Sequence, residues 1–129
     1  VAGGAQTVTV RVVLEPAAQA ALQERGEFIM LAAYWEGEPA PGHGDKADER
    51  GRIYLTSEEY TVFPVEQTFV LGQTLAAAPL TTVIEPLVNV NVFTARVSDE
   101  NNLIDCGLVD GPLSEFAGKE AVMTCKLIQ

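Results

Sequence analysis

Histidine occurs once in the 129 residues, at position 43, and cysteine twice, at 106 and 125. A single imidazole leaves no second histidine for a conventional zinc site. No Gly-x-Ser-x-Gly elbow, Cys-x-x-Cys pair or glycine-rich phosphate loop is present, so the common signatures of nucleophilic, redox and nucleotide chemistry are missing. Bases are scarce as well: eight Lys and Arg stand against 18 Asp and Glu, for a net charge of −10. Scattered bases build no phosphate-binding cluster, which argues against nucleic acid, and the negative sign argues against attachment to an anionic bilayer. The longest apolar run, Phe28 to Trp35, falls far short of the roughly 20 residues that span a membrane. What remains is 47% hydrophobic and 20% charged, the balance of a folded globular chain of one domain's length. One domain over residues 1–129 is expected. Its opening Val1-Ala2-Gly3-Gly4-Ala5 has the small residues that follow a removed signal or a truncated anchor, so 1–6 reads as a disordered leader.

Alternation predicts a mainly β chain. Val8, Val10, Val12 and Leu14 share one face of a strand, with Thr7, Thr9 and Arg11 on the other. Pro16 opens a short helix that Gly26 closes. Phe28 to Trp35, apolar on both faces, reads as a central strand. Residues 36–52 turn abruptly polar, with two Pro, four Gly and charges of both signs, and form a long loop. Ile53 to Leu55, Tyr60 to Phe63 and Val65 to Leu71 read as short strands. Thr56-x-x-Glu59 matches a capping box but reads as a turn, because strand-like residues follow it. Leu87 to Val97 is the strongest strand, with Val88, Val90 and Val92 on one face and Asn89, Asn91 and Phe93 on the other. Leu103 to Leu108 and Lys119 to Ile128 complete the set. The expected fold is a single antiparallel β-sandwich, or partly open barrel, of seven to eight strands with one short N-terminal helix.

The cysteines lie in phase with apolar neighbours, Cys106 with Ile104 and Leu108, Cys125 with Met123 and Leu127. A hairpin turning near Ser114 to Phe116 would bring 106 opposite 125 and permit a cross-strand disulfide. The competing reading is two buried free thiols packed as small hydrophobes. A paired arrangement places the protein in the periplasm or outside the cell, anchored where a membrane segment preceded the chain.

Three constellations bear on function. Glu38, His43, Asp45 and Asp48 in the polar loop carry oxygen and imidazole ligands for Ca²⁺ or Zn²⁺, but their spacing matches no EF-hand, and Lys46, Arg50 and Arg52 compete for the same carboxylates. Glu58-Glu59 and Asp99-Glu100 are neighbours that would point to opposite faces of a strand, so no facing carboxylate pair is expected. Asn89, Asn91 and Phe93, with Tyr34 and Trp35, form a candidate binding face, and Tyr54 and Tyr60 offer further amphipathic rings. The expected function is non-enzymatic and cofactor-free: binding a polypeptide partner of the cell envelope through a sheet edge or that face. The alternative is a small-ligand or metal-binding module built on the acidic 36–52 loop.

The order of features also resembles a known family. Leu14-x-Pro16, a short helix, Gly26 and an apolar strand lead to Gly37-Glu-Pro-Ala-Pro41. Phe63-Pro64, Phe69-Val-Leu71 and a small-residue segment ending at Pro79 follow, then Val90-x-Val92-x-x-Ala95-Arg96-Val97-Ser98 and Asp105, Gly107 and Gly111. This is similar to the periplasmic C-terminal domain of the bacterial cytochrome c maturation assembly factor, and to small secreted lipoprotein β domains of uncertain role. The resemblance implies a small periplasmic β domain and, for the assembly factor, chaperone-like binding of the apocytochrome c polypeptide. This chain departs from the pattern by its 42–52 insertion, by its two cysteines and by lacking a methionine-rich segment before Pro79.

Overall fold

A computed structural model describes residues 7–78, 80–116 and 118–128; the leader expected at 1–6 lies outside them. Strict alternation makes β1 (Val8–Leu14) a half-buried strand, with Val8, Val10, Val12 and Leu14 facing in. Pro16 at the first turn starts α1 (Pro16–Glu24), whose Ala18 and Leu22 are buried. Nine residues of helix are marginal alone in water, so this docking holds it. The remaining elements are β2 (Ile29–Gly37), β3 (Ile53–Val62), β4 (Gln67–Leu71), β5 (Leu87–Thr94), β6 (Ile104–Asp105), β7 (Val109–Pro112), a turn of helix α2 (Leu113–Phe116), and β8 (Glu120–Leu127). Short 3-10 turns occur at Gly44–Lys46, Gln73–Ala77 and Leu80–Thr82.

The strands form two four-stranded sheets, ordered β4-β1-β8-β6 and β3-β2-β5-β7. Their inner faces supply one core, with Val10 and Val12 from the first sheet and Leu31, Trp35, Val88 and Val90 from the second all essentially inaccessible. Each such side chain contributes roughly 1.5–3 kcal/mol of transfer free energy. The mainly β sandwich expected from alternation is the architecture found. Among the described residues no helix is long and apolar enough to cross a membrane.

Four local expectations need correction. The sheets are not wholly antiparallel: β1 and β8 pair in parallel, Leu14 opposite Cys125. Terminal strands joined through the whole intervening chain are free of the hairpin constraint that enforces antiparallel pairing. The polar Thr56-Ser57 stretch is no turn. It continues β3, with a bulge opposite Trp35 and Glu36 that leaves Leu55 out of the pairing register. β5 ends at Thr94 because the chain then turns through Arg96, which adopts a left-handed φ of 62°. Finally, the segment between the cysteines is not a hairpin loop. It leaves the first sheet to lend β7 to the second, pairing with β5, and returns as β8. The register is nevertheless as expected: Asp105 opposes Lys126, and Cys106 and Cys125 form a buried disulfide with Cα atoms 3.9 Å apart.

Candidate functional site

Because side chains alternate across a strand, burying Ala33, Trp35, Val88, Val90 and Val92 sends Tyr34, Asn89, Asn91 and Phe93 to the outer face of the second sheet. The pairing register sets their neighbours. Phe93 lies opposite Met30, Asn91 opposite Ala32, Asn89 opposite Tyr34, and Leu87 opposite Glu36. On the far side of β5, Asn89 faces Asp110 and Leu87 faces Pro112. Tyr34 stands beside Tyr54 of β3 with ring centroids 5.3 Å apart. The Asn89 amide donates a long hydrogen bond, 3.4 Å, to Asp110. At the other end of the face the Arg96 guanidinium lies 5.9 Å from the Phe93 ring centroid, within cation–π range.

A cleft of about 500 Å³ opens at the Tyr34 end, lined by Tyr34, Glu36, Arg50, Arg52, Asn89 and Asp110. Its basic wall comes from the polar loop. Asp48 folds the tip by accepting from the backbone N–H groups of Arg50 and Arg52. The Arg52 N–H bond, helped by the contacts of Arg50, holds the Asp48 carboxyl below the usual carboxylate range. Arg50 reaches both Glu36 and Asp48, and Arg52 donates to Glu36 at 3.1 Å. The hydrogen bond to Glu36, more than any other contact, raises the Arg50 pKa.

The structure brings four of the five proposed face residues together and removes the fifth. Trp35 is wholly buried, its side chain on the opposite side of β2 from Tyr34. An apolar run of eight could not reveal which face met solvent; the alternation is visible only once burial is known. Nor does the loop gather a metal site. Among the described residues no three His, Cys, Asp or Glu side chains cluster to hold an ion, and Asp48 is spent on the turn and on Arg50. Glu38, His43 and Asp45 therefore have no shared centre. Sequence reasoning missed Glu36, Arg50, Arg52 and Asp110 as parts of one cleft. No local signal joins them, since they meet only through the fold of the loop and the crossover of β7.

Two buried carboxylates frame the face from within. Glu27, 1% exposed, accepts from the N–H groups of Phe28 and Val97 at 3.0 Å through Oε2. Its Oε1 accepts from the Ser98 N–H at 3.0 Å and the Ser98 hydroxyl at 2.8 Å. Burial pushes the Glu27 pKa up, but these donors outweigh it and hold the carboxyl below its ordinary value. The clamp fixes the turn on which Arg96 projects toward Phe93. Glu58 is turned inward by the β3 bulge, while Glu59 stays exposed. Its Oε2 accepts from Trp35 Nε1–H at 3.0 Å and the Gly72 N–H at 2.8 Å, and its Oε1 from the Tyr60 hydroxyl at 2.9 Å. That last bond, reinforced by burial, raises the Tyr60 pKa. Glu58 thus ties the edge strand of the second sheet to the end of β4 in the first. The two glutamates are satisfied structural groups.

Comparison of the chain with protein-family models, with curated proteins and with solved structures gives no match.

Proposed function

We propose that this is a non-enzymatic protein of the periplasm or extracellular space that binds an extended polypeptide on the outer face of the β3-β2-β5-β7 sheet. The observation that carries the reading is the pair Asn89 and Asn91, two residues apart on β5 and both outward, flanked by Tyr34 and Phe93. Strand geometry spaces their amides about 6.8 Å apart. An extended peptide repeats its same-side N–H and C=O groups at that interval, so both amides can serve one segment lying along β5. The neighbouring rings, exposed at Tyr34 and Tyr54, supply rigid apolar area at small entropic cost. A disulfide favours an oxidising compartment. The resemblance noted in the sequence implies the same class of partner.

The test is panning of a random peptide library on the immobilised oxidised protein, followed by fluorescence anisotropy of the selected peptides. An N91A/F93A double variant that keeps its thermal melt should bind at least about ten-fold more weakly, as expected where interface anchors are removed. Undiminished affinity in the folded double variant overturns the assignment.

A further inference from the structure

The charges on this face are of two kinds. Arg50 and Arg52 are already paired, sharing Glu36 and with Arg50 also on Asp48. The acids along the same surface are not. Among the described residues Glu38, Glu59, Glu85 and Asp110 make no ion pair, and the Asp110 carboxylate accepts its hydrogen bond from the Asn89 amide. Glu59 lies across Ala32 from Asn91 by register. Asp110 faces Asn89. Glu38 and Glu85 border a second hollow of about 240 Å³ with Ile84, Leu87 and Pro112, and Ile84 there is 68% exposed. Arg96, which makes no ion pair among the described residues, sits at the opposite end beside Phe93. Six residues of β5 separate these ends, a span of about 20 Å.

We infer that the occupant of this sheet face is a basic, extended polypeptide segment, with Lys or Arg side chains meeting Asp110, Glu85 and Glu38 and with apolar side chains on Leu87, Ile84 and Pro112. The inference rests on the reading of the face as a peptide site and adds the chemistry of the partner and its polarity. The cationic part of the segment lies at the Leu87 end, away from Arg96. The charge of −10 on the whole chain acts in the same direction, speeding encounter with a basic segment.

Three short synthetic peptides test this: one alternating lysine with valine, one with glutamate replacing the lysines, and one with glutamine replacing them. Each is titrated by anisotropy against wild type, an E85K/D110K charge-reversal variant and N91A/F93A. None of the four positions is buried, and melts confirm the fold. The lysine peptide should bind wild type alone of the three, losing about ten-fold or more in E85K/D110K, where like charges now meet. It should also weaken from about 50 to 500 mM salt, as exposed charges are screened. If the glutamine peptide binds equally well and only N91A/F93A weakens it, the face is a peptide site and the basic-partner inference fails. If the lysine peptide binds all three proteins alike, attraction is to net charge elsewhere, and both the inference and the face assignment fail. Absence of binding by every peptide overturns the inference, while the library panning above still decides the face.

Discussion

Replacing Glu27 by Gln isolates the worth of a buried carboxylate that has four donors and, among the described residues, no cation partner. Gln keeps one oxygen, which can still accept two of the bonds now made to Phe28, Val97 and Ser98. With the amide nitrogen turned toward Ser98, the hydroxyl can rotate to accept, but the Ser98 N–H is left facing a donor. One orphaned buried N–H costs about 1–3 kcal/mol, and turning the two retained bonds from charged to neutral costs about 1 kcal/mol more. The loss should therefore be about 3 kcal/mol. For a chain of 129 residues that lowers Tm by about 11 °C, at an unfolding entropy of about 2.1 cal/mol/K per residue. Urea denaturation followed by Trp35 fluorescence measures it directly. The sign of the pH dependence follows from the depressed folded pKa. Glu27 stabilises fully above the ordinary glutamate value of 4.5, and that stabilisation is lost as pH falls through the lower folded value. The gap between wild type and E27Q should thus be widest near neutrality and shrink in acid. A gap under about 0.5 kcal/mol at pH 7, or one that widens in acid, would refute the account of the clamp.

Two further stability predictions follow from close contacts. A Cβ at Gly37 would lie 2.6 Å from Val83 Cβ and 2.8 Å from the Glu85 carbonyl oxygen, so Gly37→Ala should cost about 1–3 kcal/mol by overpacking, read as a lower urea midpoint; an unchanged midpoint contradicts the close approach. The Cys106–Cys125 bridge spans 19 residues, so C106S/C125S should lose about 3 kcal/mol by the chain-entropy model, and a melt equal to the oxidised wild type contradicts that magnitude.

What could be read in advance was whatever a single strand decides by itself. Val8 to Leu14 and Val88 to Phe93 alternate so strictly that their faces were evident, and the Asn89, Asn91 and Phe93 side emerged from periodicity alone. The disulfide register was legible for the same reason. Features set by more than one strand were not. The bulge opposite Trp35 reverses the phase of β3, so that Glu58 enters the core where a regular strand would have turned it out. Val109–Pro112, four residues with a Gly and a Pro, carries no strand signal of its own and pairs only because β5 presents an edge. The cleft needs the loop, β2, β5 and β7 at once, so no local pattern could assemble it.

The parallel pairing of β1 with β8 sets the order in which the molecule can be completed. The inner strands of the first sheet come from opposite ends of the described chain, with Thr9 opposite Glu120 and Leu14 opposite Cys125. Until the last of these residues is available, β1 has only β4 beside it, and Cys106 has no partner thiol. The second sheet, by contrast, is complete once β7 has formed. A chain still lacking β8 would hold that sheet against only the β1-β4 pair, dependent on a loop closure of about 110 residues that contributes to slow, topology-limited folding. Closure of the sandwich and oxidation of the cysteines are thus one late event, and a chain truncated before β8 would lose both.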